Sequence, residues 1–185
     1  MSSSLTAAPS DVQGSDARFN TIPSLDGAPP LVTVRHLTKT YRGRPALRDL
    51  SLSLPAGRIV GLMGANGCGK TTLLKILAGV LADYEGQVRI AGHAPGPLSK
   101  ALVSFLPDAD FLATSLTPPR AIAQFSRLFA DFDAAKARRL VDFFALPAER
   151  SIKEMSKGMG EKLRIALTMS RRARVYLLDE PISGV

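Results

Sequence analysis

Gly64-Ala65-Asn66-Gly67-Cys68-Gly69-Lys70-Thr71 follows the spacing G-x-x-x-x-G-K-[ST], with Thr72 directly after it. Glycines at these positions let the backbone turn tightly and aim successive N–H groups at phosphate oxygens. A helix starting at Lys70 would add the positive end of its dipole. In such a loop the Lys70 ammonium reaches the β- and γ-phosphates, and the Thr71 hydroxyl ligates Mg²⁺. Gly64 through Thr72 are therefore the candidate residues for a nucleoside triphosphate, ATP in the first place. Cys68 has two readings: a small side chain filling the loop, or a thiol acidified by the helix N-terminus.

A second constellation is Val175-Tyr176-Leu177-Leu178-Asp179-Glu180, an apolar run ending in two carboxylates. Asp179 at the end of such a strand can hold Mg²⁺, and Glu180 can polarise an attacking water as general base. Alone this pattern is weak; in one chain with the loop it becomes specific. A third is Met155-Ser156-Lys157-Gly158-Met159, where a Ser at a helix start is both a cap and a ready anion donor.

Positioning these groups requires a strand before the loop and a helix after it. Arg58 to Met63 reads as the strand and Lys70 to Val80 as an amphipathic helix. Further strands are expected at Leu31–Val34, Leu47–Leu54, Gly86–Ala91, Ala101–Leu106 and Val175–Leu178. Residues 118–149 have helical periodicity up to Pro147, and Ser156 opens a helix reaching about Arg171. Alternating strands and helices indicate an α/β fold with a parallel sheet and a helical insertion between residues 110 and 160. Residues 1–30 lack apolar periodicity and read as a disordered extension, so order should begin near Leu31.

The chain has 185 residues, 45% hydrophobic, enough for one sizeable domain. No apolar run approaches the ~18 to 20 residues of a membrane-spanning helix. A single cysteine excludes an internal disulfide and fits a reducing cytoplasm. Net charge is +8. Residues 1–30 carry Arg18 against Asp11, Asp16 and Asp26, so the excess lies beyond them. Without a compact basic run it reads as a solvated surface, and a nucleic-acid partner is not expected.

Together these residues resemble the ATP-binding-cassette (ABC) ATPases. The resemblance runs through almost all of residues 31–185. Met155–Met159 looks like the family's signature, usually Leu-Ser-Gly-Gly-Gln, and Asp179 to Gly184 like its Walker B end and the start of its D-loop. Tyr41, after Leu37-Thr38-Lys39-Thr40, matches the aromatic that stacks on adenine; a plain strand-end Tyr is the alternative. The resemblance implies a P-loop NTPase fold with an antiparallel β portion at the N-terminus. It implies a head-to-tail dimer with a second ABC ATPase subunit, in which Ser156, Lys157, Gly158 and Met159 face the partner's ATP. It also implies a separately encoded membrane permease, contacted through residues near 108–150, and a cytoplasmic location on the inner face of the membrane.

Three departures stand out. Lys157 and Met159 replace the family's Gly and Gln. Asp108, after Val103-Ser104-Phe105-Leu106-Pro107, occupies the place of a glutamine, where a carboxylate can still ligate Mg²⁺. With the Ser-x-Gly-Met signature this resembles a branch of bacterial exporter ATPases. Finally, the family's D-loop aspartate and switch histidine would fall beyond Val185, and neither His36 nor His93 stands in for the latter. Poor turnover by the 185-residue chain is the expectation. A soluble ABC-type ATPase acting on ribosomes or nucleic acid, and a non-functional remnant, are the alternative functions.

Overall fold

The structure, a computed structural model, describes residues 2–5 and 29–180. The elements run β1 (Ser2–Leu5), β2 (Val32–Tyr41), β3 (Arg44–Leu54), β4 (Ile59–Leu62), α1 (Lys70–Leu77), β5 (Glu85–Ile90), α2 (Pro97–Leu102), β6 (Val103–Leu106), α3 (Pro118–Leu128), α4 (Ala134–Phe143), α5 (Lys157–Met169) and β7 (Val175–Leu178), with a 3₁₀ turn at Ile152–Glu154 before α5. The chain divides between Lys100 and Ala101 into two compact units.

In the first unit, β3, β2 and β5 form an antiparallel sheet in that order, and β1 pairs with β4 in parallel. Val32 and Val34 of β2 are buried, opposite Leu54 and Leu52 on one side and Ile90 and Val88 on the other. Beyond Val34 the register shifts, and the buried set moves from even positions to Leu37 and Lys39. An extra residue in one strand reverses which face each side chain takes. His36 and Asp49 have positive φ at this irregularity. Side chains take up the backbone N–H groups there: His36 N–H donates to Ser51 Oγ at 3.0 Å and Asp49 N–H to Thr38 Oγ1 at 3.0 Å. The His36 ring lies 2.7 Å from the Asp49 carboxylate. Gly86 is obligatory opposite the bulge, since its φ is +100° and a Cβ would stand 2.4 Å from the His36 carbonyl.

In the second unit β6 and β7 pair in parallel, Val103 opposite Val175 through Leu106 opposite Leu178. The helical insertion closes over an apolar cluster of Ala121, Ile122, Phe125, Ala137, Val141 and Leu146 with Leu163 and Leu167 of α5. Pro118 and Pro119 open α3, where missing N–H groups cost nothing. Asp133 caps α4 by accepting from Lys136 N–H at 2.8 Å. That hydrogen bond, with Arg172 beside it, holds the Asp133 carboxyl below its usual value. Glu154 is lowered likewise by the Ser151 hydroxyl and backbone N–H.

Arg171 stitches the insertion to β6. Its Nε donates to both Asp131 carboxylate oxygens at 2.9 and 3.1 Å, its Nη1 donates to the Val103 carbonyl at 3.0 Å, and its guanidinium lies 4.3 Å from the Phe129 ring centroid.

Several boundaries differ from the sequence expectation. Ser2–Leu5, expected within a disordered extension, forms a strand along β4, because backbone pairing needs no alternation of apolar side chains. Residues 6–28, and the expected D-loop start from Pro181 on, lie outside the described residues. The strand expected from Ala101 begins at Val103, after α2, whose start is fixed by Gly96 N–H donating to Ser99 Oγ at 2.8 Å. The helical stretch over 118–149 is two helices, interrupted before the Asp133 cap.

Candidate functional site

The loop after β4 closes onto β3. Gly69 has φ +97°, and a Cβ there would stand 2.3 Å from the Ala46 carbonyl oxygen and 2.8 Å from Leu47 Cδ2. Only glycine fits, on both backbone and steric grounds. Cys68 lies across Gly64, where a Cβ would meet its Sγ at 2.6 Å. The Lys70 ammonium curls into the loop, donating to the Gly64 carbonyl at 2.8 Å and the Ala65 carbonyl at 3.0 Å. Leu73, Ile76 and Leu77 anchor α1 in the core, and its first turn holds no acidic residue. Ala65, Asn66 and Gly67 stay exposed, while Thr71 and Thr72 are half-buried on the first turn. The result is a backbone loop bridged by a cation at a helix N-terminus, an arrangement suited to a polyphosphate.

Tyr41 ends β2 opposite Arg44, at a hairpin tip where Arg42 and Gly43 both have positive φ. Its ring is 44% exposed. Leu47, which touches the space around Gly69, pairs in register with Lys39, so loop and hairpin share one strand residue.

The second unit holds the remaining candidates. Asp179 N–H donates to the Leu106 carbonyl at 2.9 Å, extending the β6–β7 ladder by one residue and leaving Asp179 only 4% exposed. Glu180, next in sequence, is exposed with φ +45°. Asp108 is exposed after β6, and its carbonyl accepts from Arg164 Nη1 at 3.2 Å. Ser156 caps α5 by accepting from Met159 N–H at 3.3 Å. Gly158 has open space where a Cβ would stand, and Lys157 lies 3.9 Å from Glu161. Met159 is half-buried and packs partly against the apolar cluster.

Arg164 and Arg171 escaped the sequence reading, because an Arg in a helical or loop segment has no spacing signature. By type, the hydroxyl of Thr71 in the first unit and the carboxylates of Asp108 and Asp179 in the second are hard oxygens of the kind Mg²⁺ takes. Asp179 Oδ2 is shielded from water. Among the described residues no three His, Cys, Asp or Glu side chains gather as a cage. Mg²⁺ at phosphate sites takes one or two carboxylates plus phosphate oxygens.

The fold and this loop define a P-loop NTPase. The family model described as ABC transporter matches residues 47–183, and the chain belongs to that family. It is 28% identical over 157 residues to the ABC transporter ATP-binding protein YtrB of Bacillus subtilis, covering 84% of this chain and 54% of that protein. It is 33% identical over 168 residues to the spermidine/putrescine import ATP-binding protein PotA of Legionella pneumophila, covering 84% and 45%. The chain thus spans about half the length of these relatives. Among solved structures, an ATP-binding subunit of an ABC transporter matches with TM-score 0.72 at 25% identity, covering 82% of this chain and 67% of that one.

Proposed function

We propose that this chain forms the ATP-binding and ATP-hydrolysing part of an ABC transporter subunit, working with Mg²⁺. The observation that carries the proposal is the closed Gly64–Thr71 loop, with Gly69 seated against Ala46 and the Lys70 ammonium inside it. Backbone N–H groups of the loop and Lys70 bind the phosphates, Thr72 flanks them on the first turn of α1, and Tyr41 stacks on the base. Thr71, Asp108 and Asp179 would hold Mg²⁺, which when bound would offset the charge of the phosphate oxygens. Glu180 accepts the proton of the attacking water. Family membership and relatives named for transport support this reading.

Ser156 and Gly158 serve the ATP of a second ATPase subunit. Ser156 and Lys157 are exposed at the open N-terminus of α5, as that role requires. Among the described residues no helix is long and apolar enough to cross a membrane. A separate permease, contacted by the insertion at residues 108–150, supplies the membrane path, and the subunit sits against the inner face of the membrane.

The test is sedimentation of the Glu180→Gln chain with and without Mg-ATP. A monomer without nucleotide that becomes a dimer with it supports the proposal. A monomer at every ATP concentration that saturates binding contradicts it.

A further inference from the structure

Lys39 is buried, 5% exposed, at a position where the period of β2 calls for an apolar side chain after Leu37. The bulge after Val34 puts it there: residues 37, 39 and 41 then share one face of the strand. A buried ammonium is costly unless compensated. Two groups compensate this one. The Asp83 carboxylate accepts from Nζ at 2.7 Å, and Nζ stands 4.9 Å from the Tyr41 ring centroid. The ammonium therefore covers one face of the Tyr41 ring while the residue as a whole stays exposed.

We infer that Lys39, tethered by Asp83, is a positioning residue that sets the Tyr41 ring as a platform for a purine base. The cation holds the ring by its π face and fixes its orientation before the base arrives. The base then stacks on the opposite face, so the ring lies between ammonium and purine. Pre-setting the ring removes ordering cost from binding. The inference rests on the reading of Tyr41 as the base platform.

The test compares Mg-ATP with Mg-tripolyphosphate, which has the phosphates and no base. Lys39→Met and Lys39→Gln, two neutral replacements of different polarity, are set beside Lys39→Arg and Tyr41→Ala. Tyr41→Ala should weaken ATP roughly tenfold and leave tripolyphosphate unchanged. The neutral Lys39 variants should weaken ATP about three- to tenfold, again with tripolyphosphate unchanged. Lys39→Arg should keep ATP affinity within about twofold, because a guanidinium still covers the ring. Adding Lys39→Met to Tyr41→Ala should cost nothing further. Equal loss of both ligands in the neutral variants would show a structural role and overturn the inference. So would full ATP affinity in those variants alongside a loss in Tyr41→Ala. If Tyr41→Ala itself binds ATP normally, the platform reading fails first and takes the inference with it.

Discussion

Arg164, on the helix that follows the Ser156 cap, donates to the Asp108 carbonyl at 3.2 Å and pairs with the Asp110 carboxylate at 3.0 Å. The guanidinium side chain is only 13% exposed, whereas Asp110 is in open solvent. One largely covered cation thus ties the loop bearing Asp108 to the helix bearing Gly158. Within this unit, two segments far apart in sequence cannot shift independently.

Arg164→Gln should therefore loosen the Asp108 loop more than it harms the fold. The expected cost is about 1 to 3 kcal/mol of stability, as for loss of a hydrogen bond to a charged group. The Mg²⁺ concentration needed for half-maximal ATP binding should rise severalfold. A metal titration at fixed ATP reads this directly, and an unchanged titration would remove Asp108 from the metal site.

The two glycines Gly69 and Gly158 should behave oppositely. Gly69→Ala puts a Cβ against the Ala46 carbonyl and abolishes the rise in melting temperature that Mg-ATP produces. Gly158→Ala meets open space inside a helix, where Ala is favoured by up to ~1 kcal/mol. Its fold and ATP binding should survive while ATP-driven dimerisation of the Glu180→Gln chain falls, because the added methyl stands in the partner's way.

Arg171→Met should be the most damaging single change in the second unit. It leaves Asp131 without its guanidinium and removes the tie to the Val103 carbonyl. Breaking a mostly buried pair from one side costs about 3 to 5 kcal/mol. Urea denaturation followed by circular dichroism measures it, and a cost under ~1 kcal/mol would contradict the stitching role.

Acid should weaken the insertion first. Asp133 and Glu154 both have lowered carboxyl values in the folded chain, so the unfolded state binds more protons. Their contribution is present above the ordinary carboxylate value of about 4 and is lost as pH falls through their lowered values. Hydrogen exchange in α4 should speed up over that range in the parent chain and less in Asp133→Asn. Equal acid sensitivity in both would contradict the capping role.

The loop was readable in the sequence because its chemistry needs particular residue types at fixed spacing. Gly69 is required by a backbone angle and a close approach, and both leave a mark in composition. Val175–Leu178 was also legible, as an apolar run closed by two acids. The full length of β2 was not, because the bulge at His36 breaks the alternation that marks a strand. For the same reason Lys39 did not read as a buried residue: its burial depends on a register shift set by pairing with β3. Asp131, Arg164 and Arg171 were invisible because their partners lie 40 to 68 residues away in sequence. Met159 matches a signature position by sequence, and its partial packing against the apolar cluster depends on the helices of the insertion, which spacing alone does not show.

Whether the Gly64–Thr71 loop holds a nucleoside triphosphate is decided by titration calorimetry of the 185-residue chain against ATP in Mg²⁺. Saturable binding of one ATP per chain is expected, weakened about 10- to 100-fold by Lys70→Met, the equivalent of one charge-assisted hydrogen bond. Absence of saturable binding in the folded parent chain, or binding that Lys70→Met leaves unchanged, would contradict it.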